Sequence, residues 1–237
     1  MSSTVLITGA ARRIGRAIAL HLAERGYDIA LHYHHSKVEA EATAAAIRQA
    51  GVQCSLFQCD LGDPGAVGRF IADVVKQCPG LDVLINNASI FERAHLTETD
   101  DALLDRHWAV NFRTPFILIR DFARIVGRGN IINLLDTKIT QNHTPYCAYS
   151  ITKKALFDLT KLAAAELGPE IRVNGVGPGL ILPSADLTDA DFKRMAEKLP
   201  LKRTGHPDKI VQAVSFFLDH NYITGESLMV DGGEHLL

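Results

Sequence analysis

A tyrosine and a lysine four positions apart could carry out proton transfer. Tyr149 and Lys153 lie in a segment with a helical pattern, so they share one helix face and can point into one site. A free tyrosine titrates at about pH 10, and a nearby ammonium group lowers that pKa by favouring the phenolate. The pair therefore predicts a general acid for a reduction, with Lys153 tuning Tyr149. Because the same spacing also arises by chance on helices, other residues must support this interpretation.

Two more polar residues stand next to apolar runs. Asp136 comes directly after the mainly apolar run 131–135, where a strand is expected to end. It is a candidate proton-transfer group, although an acid at this position could equally be a helix cap or a loop residue. Asn111 stands among apolar neighbours in a predicted helix, and that position alone favours a buried, hydrogen-bonded amide.

A glycine-containing turn joins the first predicted strand to the first predicted helix. A dinucleotide site needs a tight turn, close backbone approach and a helix N-terminus aimed at the pyrophosphate. In the segment TGAARRIG, residues 8–15, Gly9 and Gly15 could supply two of these needs. Arg13 stands where the usual fingerprint has its middle glycine, so an ordinary glycine turn is the alternative.

The end of the second predicted strand bears on the choice of cofactor. NAD-binding folds of this kind usually place a carboxylate there, on the ribose hydroxyls, but the sequence between Asp28 and Glu39 holds none. Nearby cationic and hydroxyl side chains would instead bind a 2′-phosphate, and they are Arg12, Arg13, His35 and Ser36. The sequence therefore predicts NADPH rather than NADH.

The histidines of the stretch HYHHS could instead be metal ligands. Strand alternation would put His32 and His34 on one face and His35 on the other, and no acidic partner is close in the sequence. No metal site is therefore expected.

Polar residues also follow the third and fourth predicted strands. Asp60 could accept a hydrogen bond from an adenine amino group, or it could be a polar turn residue. Asn86, Asn87 and Ala88 end the fourth strand, at the edge where sheets of this type bind ligands. Two adjacent asparagines also suit a turn, so this feature alone is ambiguous.

Short apolar runs alternate with helical patterns along the whole chain. The predicted strands are Thr4–Ile7, Asp28–Tyr33, Val52–Phe57, Leu81–Asn86, Asn130–Leu135, Ile171–Val176 and Ser227–Val230. The predicted helices are Ile14–Arg25, Val38–Ala50, Pro64–Gln77, Asp100–Val126 with a bend at Pro115, Pro145–Leu167 and Pro207–Leu218. This alternation predicts an α/β fold, a single Rossmann-type doubly wound parallel sheet with helices on both faces.

Length and composition suit one globular unit. We expect residues 1–237 to form a single domain, with a mobile substrate-loop region at about 180–206. A net charge of −2 and the lack of an 18-residue apolar run give no reason to expect nucleic acid or a membrane as a partner. The N-terminal sequence does not read as a signal peptide, and the four cysteines form no CxxC pair. A cytoplasmic, reducing location is expected, with the cysteines as small buried residues.

Together these segments resemble the short-chain dehydrogenase/reductase family. The resemblance runs from the TG of residues 8–9 to the DGG of residues 231–233, and it rests on the ordered set TGxxxxxG, NNA, N, YxxxK and PG. It implies that Asn111, Tyr149 and Lys153 are catalytic, with Lys153 also holding the nicotinamide ribose. It also implies a homotetramer, formed through helix faces around the long helix and the Tyr149 helix.

Within the family, the chain resembles the pteridine reductases, including the bacterial dihydromonapterin and dihydrofolate-reducing members. The resemblance rests on Asp136, where most family members have Ser, and on TGAARRIG, HYHHS, the segment 87–91 and the run RVNGVGPG at 172–179. It implies that Phe91 stacks the pterin ring against the nicotinamide and that Asp136 works with Tyr149 to protonate a ring nitrogen.

The same resemblance gives roles to two residues near the phosphates. Arg13 would reach both phosphate and pterin, and Ser89 would touch cofactor or substrate. Pteridine reductases often have Ser after the Pro-Gly of this run, but the segment 180–182 is Leu-Ile-Leu, closer to the dihydromonapterin reductase type. Plain core packing of Phe91 is the alternative to its stacking role.

These observations predict an NADPH-dependent reductase that converts a dihydropteridine or dihydrofolate C=N bond to the tetrahydro form. The expected cofactor-binding residues are Gly9, Arg12, Arg13, Ile14, Tyr33, His34, His35, Ser36, Asp60, Leu61, Asn87, Ala88, Ser89, Tyr149, Lys153, Pro178 and Gly179. The expected substrate-binding residues are Arg13, Ser89, Phe91, Asp136 and Tyr149. A carbonyl reductase for a ketone or 3-oxoacyl thioester is one alternative, and a nucleotide-sensing protein without turnover is another.

Overall fold

Seven parallel strands form the central sheet of the protein. The computed structural model describes residues 2–184 and 187–237, and within them the strand order is β3-β2-β1-β4-β5-β6-β7. The strands are β1 Thr4–Ile7, β2 Asp28–Tyr33, β3 Cys54–Gln58, β4 Leu81–Asn86, β5 Gly129–Leu134, β6 Ile171–Pro178 and β7 Ser227–Val230. All neighbouring strands pair in parallel, which confirms the predicted doubly wound α/β fold.

Helices cover both faces of this sheet. They are α1 Arg13–Glu24, α2 Lys37–Gln49, α3 Pro64–Gln77, α4 Asp101–Trp108, α5 Thr114–Ile125, α6 Cys147–Leu167, α7 Asp189–Ala196 and α8 Pro207–Asp219. One buried apolar cluster joins the sheet to α1, α2 and α8, and a second joins it to α3, α5 and α6. Because side chains alternate along a strand, Ile7 of β1 packs into the first cluster and Leu6 into the second.

The strand order reverses between β1 and β4. From β1 the chain proceeds outward to β2 and β3, and then it returns to β4 on the other side of β1. Open α/β sheets bind ligands in the crevice beyond the carboxyl ends of the strands at such a point. Thr8 and Asn87 meet at this edge, where the Asn87 backbone N–H donates to the Thr8 hydroxyl at 2.9 Å.

The predicted helix Asp100–Val126 is interrupted in the structure. It consists of α4, a π-helical turn at Ala109–Arg113, and α5. The bend predicted at Pro115 is therefore wrong, because the irregularity precedes that residue. Pro115 lies in the first turn of α5, a position that proline tolerates.

The region predicted as a substrate loop, about residues 180–206, contains helix α7. The Thr188 hydroxyl accepts a hydrogen bond from the Asp191 backbone N–H at 3.1 Å and caps the helix, whose Phe192 and Ala196 are buried. With only two buried positions, this short helix lacks the long apolar periodicity that a sequence prediction needs. Residues 185 and 186 of the predicted substrate loop lie outside the described residues.

The other predicted elements agree with the structure to within two residues. β3 begins at Cys54 rather than Val52, α6 begins at Cys147 rather than Pro145, and β6 continues to Pro178. Within the described part of the chain, no helix combines the length and the apolar character needed to cross a membrane.

Two glycine-to-alanine substitutions test the close packing at the β1–α1 turn. A Cβ at Gly15 of α1 would lie 2.4 Å from the Gly9 carbonyl oxygen, whereas a Cβ at Gly68 of α3 would meet no heavy atom within 4 Å. Gly68→Ala should raise the free energy of unfolding by about 0.5–1 kcal/mol, because alanine favours a helix. Gly15→Ala should lower it by about 1–3 kcal/mol, because the added methyl group overpacks the turn.

Urea unfolding of both variants, followed by circular dichroism, measures the two changes. Equal stabilisation by the two substitutions would contradict the close approach of α1 to this turn.

Candidate active site

Tyr149 and Asp136 form a direct hydrogen bond. The Tyr149 hydroxyl donates to Asp136 Oδ2 at 2.7 Å. Tyr149 lies near the start of α6, and Asp136 follows β5 and precedes the 3-10 turn Thr137–Ile139. The other carboxylate oxygen, Oδ1, caps that turn by accepting from the Lys138 backbone N–H at 2.8 Å. The two interpretations of Asp136, as a cap and as a proton-transfer group, therefore describe different oxygens of one carboxylate.

The pKa of Tyr149 lies well above its ordinary value. Burial of the side chain is the main cause, and the negative charge of Asp136 and its hydrogen bond add to the shift. The Lys153 ammonium lies 5.8 Å from the Tyr149 ring centre and donates to the Leu134 carbonyl at 2.7 Å, so its effect on the pKa of Tyr149 stays a prediction. Tyr149 is thus held neutral as a hydrogen-bond donor.

Lys153 is itself buried, with 3% of its surface exposed. Burial lowers the pKa of its ammonium group to about 8, although the charge of Asp136 opposes this change. The ammonium group therefore supplies a positive charge close to Tyr149 below that pH.

Asn111 occupies the π-helical turn between α4 and α5 and is fully buried. Its Oδ1 accepts from the Ile90 backbone N–H at 2.9 Å and from the Ser89 hydroxyl at 3.0 Å, while its Nδ2 donates to the Ile90 carbonyl at 3.0 Å. The amide also approaches Thr152 of α6 at 3.4 Å. Asn111 thus joins the segment after β4 to the helix that carries Tyr149, and π-helical turns often occur at functional sites.

Phe91 forms an aromatic wall beside Tyr149. Its ring stacks on Tyr146 with a centroid distance of 4.4 Å and meets the Tyr149 ring edge-on at 4.7 Å. The Lys138 ammonium lies 5.4 Å from the Phe91 ring centre. Since Phe91 is 38% exposed, it is not a plain core residue.

A cavity of about 410 Å³ lies beyond the carboxyl ends of β1, β2 and β4. Twelve of the predicted cofactor residues line it: Gly9, Arg12, Arg13, Ile14, Tyr33, His34, Ser36, Asp60, Leu61, Asn87, Ala88 and Ser89. It is also lined by Gly15 of the predicted glycine turn and by four residues that the sequence did not predict, namely Ala11, His32, Ile90 and Val110. Ser89 lines the cavity and also donates a hydrogen bond to Asn111. Through this bond the cavity adjoins the residues next to Tyr149.

Several predicted residues lie outside the lining of this cavity. Tyr149 and Lys153 lie on α6, while Pro178 ends β6 and Gly179 follows it, with the Gly179 N–H donating to the Val230 carbonyl at 3.1 Å. His35 also lies outside the lining, so the prediction that it helps to bind a 2′-phosphate gains no support from the geometry.

The predicted separation of His34 and His35 onto opposite faces is wrong. Their rings lie 3.4 Å apart between centroids and are tilted by 31°. Strand alternation does not apply to them, because β2 ends at Tyr33 and both histidines lie in a bend. Among the described residues, no group of three or more His, Cys, Asp or Glu side chains is placed to hold a metal ion.

Arg13 has the left-handed backbone conformation that glycine usually supplies. Its φ is +53°, and its guanidinium donates to the carbonyls of Leu182 at 3.4 Å and Pro183 at 2.9 Å. A non-glycine residue in this region of backbone space is strained, and such strain is common at ligand sites. Arg13 therefore connects the turn after β1 to the segment after β6.

His32 holds the same turn from the other side. It is buried, its Nδ1 accepts from the Gly9 N–H at 3.0 Å, and its Nε2 donates to the Cys59 carbonyl at 3.0 Å. Burial lowers the pKa of His32 to about 4, so the imidazole is neutral and can accept this bond. In the sequence, His32 could have been recognised by its position one residue before the end of β2, next to Tyr33.

Comparisons with known proteins cover nearly the whole chain. Residues 9–235 match the protein-family model described as Enoyl-(Acyl carrier protein) reductase. The chain is 37% identical over 246 residues to a 3-oxoacyl-[acyl-carrier-protein] reductase FabG of Staphylococcus epidermidis, with 100% of both chains covered. It is 31% identical over 245 residues to a Dihydromonapterin reductase of Escherichia coli O6:H1, with 99% of this chain and 98% of that protein covered.

A solved structure is also very similar. The FolM Alternative dihydrofolate reductase 1 from Brucella suis, in complex with NADP, superposes with a TM-score of 0.95 and 36% identity, covering 99% of this chain and 96% of that one. The relatives thus include oxoacyl reductases and pterin or folate reductases.

Protonation of His32 should destabilise the protein. The pKa of His32 is about 4 in the folded state, against an ordinary value of 6.5. Because the unfolded state binds the extra proton more tightly, stability is complete above about pH 6.5 and falls as the pH approaches 4. Between pH 7 and pH 4.5 the wild type should lose about 2–3 kcal/mol more than His32→Asn, whose amide cannot titrate.

Urea unfolding at the two pH values measures this difference, with the same substitution at exposed His220 as the control. An identical pH dependence for wild type and His32→Asn would rule out a neutral imidazole at this position.

Proposed function

Because this chain belongs to the short-chain dehydrogenase/reductase family, we propose that it reduces a pteridine C=N bond to the tetrahydro form with NADPH. The broader statement follows from the family and from the NADP complex of the Brucella suis relative: the chain is an NADP-dependent oxidoreductase. The observation that supports the narrower proposal, reduction of a pteridine, is the hydrogen bond between Tyr149 and Asp136.

The residues around the cavity fit a phosphorylated dinucleotide. Gly9 and Gly15 let the turn after β1 pack closely against Asn87 and Ala88, and α1 begins at this turn, with its positive end toward the cavity. Arg12 has an exposed guanidinium group, paired only at 3.8 Å with Glu39, and so it can turn toward a 2′-phosphate beside Ser36. NADPH bound there would supply the hydride.

Proton delivery is assigned to Tyr149 and Asp136. Tyr149 donates its proton to the ring nitrogen while the neighbouring ring carbon receives the hydride. The Tyr149–Asp136 pair then regains a proton from solvent through Asp136, whose side chain is 18% exposed. The negative charge left on the pair is offset by Lys153 and by the Lys138 ammonium, which lies 3.4 Å from Asp136 Oδ1. Asn111 positions α6, because it binds Ser89 on one side and Thr152 of α6 on the other.

Phe91 and Asp136 together favour a pterin. Its flat, electron-poor ring can stack on the exposed Phe91 ring, and its ring N–H and amino donors match a carboxylate better than a serine hydroxyl. Ser89 and Arg13 both line the cavity and would contact the substrate or the phosphates.

A carbonyl reductase for ketones or 3-oxoacyl thioesters is the second candidate. The 37% identity to FabG favours it as much as the FolM and dihydromonapterin reductase similarities favour the pterin. Asp136 weighs against it, because a carbonyl oxygen can accept from a hydroxyl but gains nothing from a carboxylate. A non-catalytic NADP(H) sensor is less well supported, because both Tyr149 and Lys153 are in place.

The proposal includes a homotetramer of one-domain subunits. Large apolar side chains are exposed on the helices named for this contact: Trp108 on α4, Phe116 on α5 and Ile151 on α6. Contacts between copies would remove this apolar surface from water.

Asp136→Ser tests the assignment. With 7,8-dihydropterins or dihydrofolate, kcat should fall by about 10²-fold or more, because the ring nitrogen loses its proton-delivery pair. NADPH oxidation followed by absorbance measures this change, and exposed Asp158→Ser on α6 is the matched control.

If the wild type turns over ketones or 3-oxoacyl thioesters but no pterin, and Asp136→Ser keeps or improves that activity, the carbonyl reductase is correct. NADPH binding without turnover of any of these substrates would support the sensor.

The cofactor preference is tested at Ser36. Ser36→Asp should raise the Kd of NADPH by about tenfold or more, since the carboxylate would repel the 2′-phosphate and attract the ribose hydroxyls of NADH. Fluorescence titration with both cofactors measures the two affinities, with Ser36→Ala as the neutral comparison. Equal affinities of the wild type for NADPH and NADH would contradict the proposed 2′-phosphate site.

A further inference from the structure

Glu234 is a buried carboxyl group next to the proposed proton-transfer site. It follows β7, opens the 3-10 turn Glu234–Leu236, and is 9% exposed. Its Oε2 is inaccessible to solvent and has no hydrogen-bond partner among the described residues. A buried carboxyl oxygen without a partner is costly, so its presence here calls for a role beyond packing.

The turn that holds Asp136 packs against this carboxyl group. The 3-10 turn Thr137–Ile139 and the turn that begins at Glu234 are in contact. Gln141, just after the first turn, donates its Nε2 to the carbonyl of Glu234 at 2.5 Å and to the carbonyl of Leu237 at 3.0 Å. The segment after β7 is thus attached to the segment that positions Asp136.

Asp231 fixes the shape of the segment after β7. Its carboxylate accepts from the backbone N–H groups of Gly233 at 2.9 Å and His235 at 2.8 Å, and the His235 ring lies 2.8 Å away. Gly179 permits this arrangement, because a Cβ there would lie 2.6 Å from Asp231 Cα and 2.9 Å from Glu234 Oε2. Glu234 therefore lies between the end of β6 and the turn of Asp136.

Charged groups face Glu234 from two segments. Lys138 and Asp136 face it from the turn after β5, and Asp231 faces it from its own segment, while the β6 side presents Gly179. Burial raises the pKa of Glu234, and Asp136 and Asp231 act in the same direction, while Lys138 and a hydrogen bond with the Thr137 side chain lower it. The Lys138 ammonium lies 3.4 Å from Asp136 Oδ1, and its charge also acts on Glu234.

We propose that Glu234 is a positioning residue of the active site, which holds the turn of Asp136 in place and shares the charge of Lys138 with it. This inference rests on the proposed proton delivery by Tyr149 and Asp136. When Glu234 ionises, its negative charge offsets part of the positive charge of Lys138. The proton affinity of the Tyr149–Asp136 pair then rises. When Glu234 is neutral, Lys138 acts on Asp136 alone.

Two substitutions separate the structural and electrostatic parts of this role. Glu234→Gln keeps the shape but cannot ionise, so the alkaline limb of the pH profile of kcat should move to lower pH by about 0.5–1 unit, while the rates at low pH stay within about twofold. Glu234→Ala removes the support, so kcat should fall by about tenfold or more over the whole pH range, because Asp136 is displaced. Glu226→Gln, an exposed acid just before β7, is the matched control.

Two measurements are needed. The pH profiles are recorded with whichever substrate the wild type reduces, dihydropterin or ketone. Hydrogen exchange of the backbone amides of residues 136–141, read by mass spectrometry on the NADPH complex, should be faster in Glu234→Ala and unchanged in Glu234→Gln and Glu226→Gln. This second readout does not depend on the substrate.

The outcomes distinguish this inference from the proposed function. Faster exchange in Glu234→Ala with turnover of ketones only would leave the positioning role intact and refute the pterin. Pterin turnover with exchange and pH profiles equal to those of Glu226→Gln in both Glu234 variants would refute the positioning role. A fall in kcat for Glu234→Ala without faster exchange would also refute it.

Discussion

Asn87 and Thr8 connect the ends of β4 and β1, and the arrangement of the cofactor cavity depends on this connection. The Thr8 hydroxyl accepts from the backbone N–H groups of Asn87 at 2.9 Å and Ala88 at 3.0 Å, while the Asn87 amide donates to the carbonyls of Thr8 at 2.8 Å and Gly9 at 3.1 Å. These bonds satisfy backbone groups that no strand partner could reach at the edge of the sheet. They leave the cavity side of the turn open to a ligand.

The same junction explains why the site could form only with small residues at two positions. A Cβ on Gly15 would collide with the Asn87 amide at 2.6 Å, and His32 already occupies the far side of Gly9. Asn87, His32 and strand β1 itself therefore bond to the polar groups of the tight β1–α1 turn from three sides. Its strained residue, Arg13, is the one that reaches across to the segment after β6.

Much of this arrangement could be read from the sequence, because apolar periodicity and turn residues indicate where strands and helices begin and end. The order of the elements and the glycine turn follow from that pattern, whereas the pairing of Asp136 with Tyr149 is implied by the family resemblance. Other features depend on tertiary contacts that a linear pattern does not contain. The stacking of His34 on His35, the π-helical turn at Asn111 and the helix α7 are of this kind, since each is determined by what packs against it.

The pKa of Tyr149 also depends on tertiary contacts that the linear sequence does not contain. An i, i+4 spacing places Lys153 on the right face of α6, but the spacing cannot show that the Leu134 carbonyl binds the ammonium group or that a carboxylate stands closer to the phenol. The carboxylate makes these contacts through separate oxygens: Oδ1 caps the turn and contacts Lys138, and Oδ2 accepts from Tyr149. A serine hydroxyl has a single oxygen and is shorter, so it would have to make both contacts from one point. The residue type at position 136 therefore affects both the local backbone and the hydrogen bond that Tyr149 makes.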